Sequence, residues 1–254
     1  MYQGNINIDE VRSISQGIRA RGSLSDDGIL DFKKYEVVKP RILWLLKQEV
    51  RDYGLEDSSR GELVGKDWHK YYPRAIINDA KNDNLRTSKT WGPMAIVSHM
   101  LIRDMDYEHA SVVSSEELSE SLLSTAIVEV HKEPGKSTTP PSVLLEGFEM
   151  YKTIVDRQLR TYAPDIVIAC FPESAREIVL HCQVVMGGTH DNAAWDWCEG
   201  GYGGRCVELL NKLLFWTCHP SARKNKARYC NEIAQAWRCM KGGNMKDVIA
   251  ECQD

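Results

Sequence analysis

Residues 147–170 read GFEMYKTIVDRQLRTYAPDIVIAC, a helix pattern that gives way within a few positions to a strand pattern. Apolar side chains fall at 148, 151, 154, 155 and 159, the spacing that gathers them on one helical face. Pro164 cannot continue such a helix, so a stop at Tyr162 is expected. Asp165 to Cys170 is then almost wholly apolar without alternation, as befits a strand covered on both faces. Three more short runs share this character: Arg41 to Leu46 (RILWLL), Thr125 to Val130 (TAIVEV) and Leu213 to Thr217 (LLFWT). Helical patterns also cover Ser174 to Gln183 and Arg228 to Lys241. Strands alternating with helices predict an α/β fold, a three-layer α/β/α sandwich around a central four-stranded parallel sheet. Ligands are then expected beyond the carboxyl ends of the strands. Residues 1–38 read as an N-terminal extension with one helix at Ile8 to Ala20, and 39–254 as the main α/β domain.

Of the 254 residues, 43% are apolar and 27% charged, which suits one large domain. No apolar run approaches the roughly 18 residues of a bilayer-crossing helix. Met1 to Glu10 lacks the basic and apolar segments of a secretory leader, so a cytoplasmic protein is expected. Eight cysteines, at 170, 182, 198, 206, 218, 230, 239 and 252, are scattered without a Cys-x-x-Cys pair. That predicts reduced thiols, and neither a zinc site nor an iron–sulfur cluster of the usual spacing.

The net charge of −4 argues against a general polyanion binder, yet the charge is unevenly placed. From Pro220 to Met245, Arg223, Lys224, Lys226, Arg228, Arg238 and Lys241 face a single acid, Glu232. A segment of that kind can offer one basic face to a phosphate backbone. A solvated helix face has the same composition, and charge alone does not separate the two. Two loops stand out: His131 to Pro141, with three prolines, and Met186 to Gly204, with six glycines around Trp195 and Trp197. Loops this long often carry function, and a surface insertion packed by its own tryptophans reads the same way.

Two clusters could carry chemistry. Leu46-Lys47-Gln48-Glu49-Val50-Arg51-Asp52-Tyr53-Gly54 follows the first strand, where a carboxylate can reach a ligand at a switch point or can merely cap a turn. Thr217-Cys218-His219-Pro220-Ser221-Ala222-Arg223 follows the last strand. Proline holds His219 extended and out of the next helix, and Ser221 offers a hydroxyl and an amide suited to a phosphate.

Together the two clusters resemble the uracil-DNA glycosylase superfamily, over roughly residues 40–245. There the first strand leads into a motif best known as Gly-Gln-Asp-Pro-Tyr, and the last into His-Pro-Ser followed by a side chain that wedges into DNA. Here the two sites read Lys47-Gln48-Glu49-Val50-Arg51 and His219-Pro220-Ser221-Ala222-Arg223, with the strands in the same order. The resemblance implies that Glu49 orients water and faces positive charge on the sugar, while His219 stabilises the departing base. A glycosidic bond that breaks through an oxocarbenium-like state needs such an anion and such a donor. By the same resemblance Gln48 contacts the base, Ser221 pinches a phosphate, and Arg223 enters the vacated stack with Lys224 and Lys226 nearby on the DNA side.

The departures point to the substrate. Glu49 stands where aspartate is expected, and Arg51 where a tyrosine closes the pocket against groups on C5 of the base; Tyr53 follows as a further pocket residue. Glu129 holds the place of an asparagine that reads uracil. A carboxylate accepts from the N4 amine of cytosine and repels O4 of uracil, although Glu129 could equally pair with Lys132 or Arg51. Trp68, Tyr71, Tyr72 and Trp91 are candidates for stacking a flipped base, with Trp68 favoured, and each could instead be core. His69, His99, His109, His181 and His190 have no metal-site spacing.

The resulting expectation is a monofunctional DNA glycosylase acting on a modified pyrimidine. Glucosylated hydroxymethylcytosine of phage DNA is the leading candidate, as for some bacterial members of the superfamily. DNA is its expected partner, with no cofactor, metal or membrane. A uracil or damaged-base repair enzyme and a non-cutting binding module remain as alternatives. A phosphoryl hydrolase is disfavoured, because no Gly-rich phosphate loop follows the first strand.

Overall fold

In the computed structural model of this chain, residues 6–20, 27–47, 71–132, 139–189, 196–197, 204–222 and 225–242 are described. The strands are β1 (Gly28–Ile29), β2 (Ile42–Leu46), β3 (Ala126–Glu129), β4 (Ile166–Cys170), β5 (Asp196–Trp197), β6 (Arg205–Leu209) and β7 (Lys212–Thr217). They form one sheet in the order β1-β3-β2-β4-β7-β6-β5. The four apolar runs became β2, β3, β4 and β7, which pair in parallel with one another.

The α/β class holds, and the four parallel strands are the centre of a larger mixed sheet that has three further strands among the described residues. β1 adds antiparallel to β3 at one edge, and β6 and β5 add antiparallel beyond β7 at the other. The physical reason lies in a hairpin. Leu210 and Asn211 link β6 to β7 with φ of 49° and 69°, the doubly left-handed geometry whose twist suits a two-residue β-turn. No glycine advertises that turn, and β6 carries Arg205 and exposed Glu208 as an edge strand does.

Helices cover both faces. On one lie α3 (Tyr71–Lys81), α4 (Trp91–Arg103), α5 (Tyr107–Ala110), α6 (Ser115–Leu123) and α9 (Lys226–Gly242), packed around Ile42, Trp44 and Leu46. On the other lie α1 (Ile8–Ala20), α2 (Phe32–Val37), α7 (Pro141–Tyr162) and α8 (Arg176–Val185), packed around Leu43 and Leu45. Alternate residues of one strand therefore feed two apolar cores, the outcome of period-two side chains buried on both sides.

α7 begins earlier than its apolar stripe implies, with Pro141 at its first position, and ends at Tyr162 with Ala163 left-handed (φ 45°). α6 starts with a reciprocal cap, Ser114 accepting from Glu117 N–H while the Glu117 carboxylate accepts from Ser114 N–H. α4 had no amphipathic signal because Trp91 through Leu101 are all buried.

The described part of residues 1–38 belongs to the same core: Ile6, Ile14 and Tyr35 are buried in it and β1 extends the sheet. No helix among the described residues is long and apolar enough to cross a membrane. Cys170, Cys182, Cys206, Cys218, Cys230 and Cys239 carry thiols, not disulfides.

The end of β3 is braced by a glycine. A methyl group on Gly147 of α7 would lie 1.6 Å from Cδ2 and 2.6 Å from Cγ of the His131 ring. Gly147→Ala is expected to displace that ring and to destabilise the fold by about 1–3 kcal/mol, read as a lowered urea midpoint.

Candidate active site

The parallel strands end level. Glu129 sits opposite Leu46, Leu45 opposite Ala169, and Cys170 opposite Thr217. The ladder continues one step beyond, Val130 N–H to Leu46 O at 3.0 Å and His131 N–H to Lys47 O at 2.9 Å. The segments leaving β2 and β7 thus depart from one edge, separated only by β4, about 10 Å apart at sheet spacing. That edge is the carboxyl end, where open α/β sheets bind ligands.

Glu129 closes β3 with 1% of its surface exposed. It projects to the same face as Ile127 and Leu46, toward α3 and α4. There the Tyr72 hydroxyl donates to its Oε1 at 2.6 Å, while the Tyr72 ring meets Trp91 edge-on at 5.2 Å between centroids. Tyr72 and Trp91 are therefore core, and in Tyr72 the core reaches the edge of the site. Tyr71 begins α3 one position earlier.

Lys132, offered by the sequence as a partner for Glu129, donates to Asp27 Oδ2 and to Gln158 Oε1, the latter at 2.8 Å. Gln158 Nε2 in turn donates to Asp27 Oδ1 at 2.8 Å. The Lys132 and Asp27 side chains are both completely enclosed. Burial pushes the Asp27 carboxyl above its ordinary value, against the pull of Lys132. Asp27 Oδ2 also accepts the Glu129 N–H at 3.1 Å, which ties the strand end to this buried network.

His219 lies two residues past β7, half-buried, before the short 3₁₀ turn Pro220–Ala222. Ser221 N–H donates to His219 Nδ1 at 3.2 Å, and Ser221 Oγ stands 2.8 Å from the same nitrogen. A backbone N–H can only donate, so Nδ1 is the acceptor and the neutral ring carries its proton on Nε2, an assignment made from this network. Ser221 is exposed, and its two donors turn back to the imidazole instead of outward to a phosphate.

Lys226 is likewise engaged within the fold, its ammonium donating to Arg86 O at 2.7 Å. Along α9, Arg228 pairs with Glu232 at 3.2 Å, and Arg238 and Lys241 pair with Asp104 at 3.5 and 3.8 Å. Much of the basic composition of this helix is thereby balanced by acids. Gln48, Glu49, Arg51, Tyr53, Trp68, Arg223 and Lys224 lie outside the described residues, as does most of the glycine-rich stretch 190–203.

The described histidines away from the site have structural partners. His99 Nδ1 meets Ser121 Oγ at 2.8 Å, His109 meets Asp106 at 2.7 Å and His181 meets Asp156 at 2.7 Å. Among the described residues no group of three or more His, Cys, Asp or Glu side chains is placed to hold a metal ion.

Glu232 is an outlier on α9, 6% exposed with Oε2 lacking a hydrogen-bond partner. Burial raises its carboxyl from the ordinary value and outweighs the pull of Arg228. A group whose folded value is raised stabilises the fold below its unfolded value and loses that contribution as pH climbs through the folded value. Glu232→Gln is therefore expected to raise the melting temperature at pH 7 by a few degrees, with the gain vanishing near pH 4.

Comparison with family models, with curated proteins and with solved structures finds no match for this chain.

Proposed function

We propose that this chain is a divergent uracil-DNA glycosylase-like enzyme that flips a modified pyrimidine out of DNA and hydrolyses its N-glycosidic bond. The observation that carries the reading is His219 at the carboxyl edge, with Ser221 N–H donating to Nδ1, a contact that assigns the proton of a neutral ring to Nε2. A neutral imidazole donor of that kind stabilises negative charge on a leaving base without an acid of matched strength. Support also comes from the order β3-β2-β4-β7, which suits the four-stranded parallel core the resemblance implies, and from the level strand ends.

In the proposed reaction the bond from C1′ to the base nitrogen breaks, and its electron pair leaves with the base. His219 Nε2–H donates to the base oxygen that gathers this charge. Glu49 faces the oxocarbenium-like sugar and takes a proton from the water whose oxygen bonds C1′. The proton taken up by Glu49 passes through solvent to the departed base anion, which restores the carboxylate and leaves a neutral free base and an abasic site. Glu129 selects a base with an exocyclic amine, and Arg51 in place of a pocket-closing tyrosine leaves room for a substituent on C5. Glucosylated hydroxymethylcytosine combines both features.

The test is incubation of the protein with DNA carrying hydroxymethylcytosine, its glucosylated form or uracil, followed by alkali. Strand breaks at the modified cytosines support the reading. Tight binding without breaks would instead make the chain a recognition module, and efficient cutting at uracil alone would overturn the substrate assignment.

A further inference from the structure

We infer that Tyr72 and Asp27 are positioning residues for Glu129, together holding its carboxyl in one orientation as the acceptor that selects a base bearing an exocyclic amine. The inference rests on the glycosylase reading above. Glu129 is gripped from two sides by parts of the chain far away in sequence. Its side chain accepts from the Tyr72 hydroxyl at 2.6 Å, a short and well-made hydrogen bond. Its main-chain N–H donates to Asp27 Oδ2 at 3.1 Å.

Neither grip is loose. Tyr72 is 5% exposed, and its ring lies against Trp91, which is buried as well. Asp27 is fixed by Lys132 and Gln158, and Gln158 also reaches Tyr162 OH at 3.4 Å. A side chain so restrained cannot swing aside to avoid a mismatched base. Opposite an exocyclic amine it accepts a hydrogen bond; opposite a carbonyl oxygen two acceptors meet, and the complex is penalised. Discrimination of this kind needs an acceptor that does not move, and Tyr72 supplies that restraint.

The experiment compares kcat/KM for release of hydroxymethylcytosine and of uracil from matched duplexes, with wild type, Tyr72→Phe and Glu129→Gln. Tyr72→Phe keeps the ring on Trp91 and removes only the hydroxyl. The ratio favouring the cytosine-type base is expected to fall about tenfold in this variant, the loss of one buried hydrogen bond, while the melting temperature stays within a few degrees. Glu129→Gln, whose amide can donate to a carbonyl, is expected to move the preference toward uracil. A purely structural role would change stability and leave the ratio alone. An active wild type whose base ratio is unchanged in both variants overturns this inference and spares the glycosylase reading. Failure of wild type to release either base overturns both.

Discussion

His219→Ala is expected to lower base release by about 10²–10³-fold, the usual cost of removing one donor aimed at developing negative charge. The effect should fall on kcat more than on KM, because a neutral imidazole gains little from the uncharged ground-state base and much from the departing anion. His219 is half-buried and lies between β7 and the 3₁₀ turn, outside both apolar cores, so the fold should tolerate the change. Single-turnover release measured against an unaltered melting curve separates the chemical loss from unfolding. A His219→Ala protein that cuts as fast as wild type would remove the imidazole from the mechanism.

Lys132→Met is expected to destabilise the protein by about 3–5 kcal/mol at pH 7, the largest stability effect of any single substitution considered. It leaves the Asp27 carboxylate enclosed without its cation, and burial already raises that carboxyl above its ordinary value. Because Asp27 can escape the cost by taking a proton, the deficit should shrink as pH falls through the carboxylate range. Pairing the substitution with Asp27→Leu removes both charges and should recover part of the loss, the remainder reflecting the Glu129 N–H and Gln158 Nε2 donors left without their acceptor. Urea unfolding of the two single variants and the double variant reads the coupling directly. A double variant as unstable as Lys132→Met alone would show that the network matters for reasons other than charge.

The sheet's parallel core was legible because its strands are short, apolar and uninterrupted, and β2, β3, β4 and β7 begin and end within one residue of the runs read from the sequence. The α7 stripe and its stop before Pro164 were legible for the same local reason. What escaped was written elsewhere. α4 is apolar on every side, so its period does not show, and the Leu210–Asn211 turn lacks the glycine that marks such hairpins. The contacts at Glu129 escaped altogether. Tyr72 lies 57 positions away and Lys132 reaches Asp27 across 105, separations over which no local pattern predicts a partner. The place of His219 just past a strand was legible from the apolar run and Pro220, whereas the sequence aimed Ser221 at a phosphate and its donors serve the ring.

On the proposed reading, the carboxyl edge of this sheet detaches a base from DNA. Mass spectrometry of the small molecules released when the protein is incubated with phage genomes of different cytosine modification tests it most directly. Free hydroxymethylcytosine or its glucoside in the filtrate, matched by abasic sites in the DNA and absent with Glu49→Gln and His219→Ala, is the predicted result. Intact DNA from every genome, with no base or nucleobase sugar above the protein-free control, would overturn the glycosylase reading.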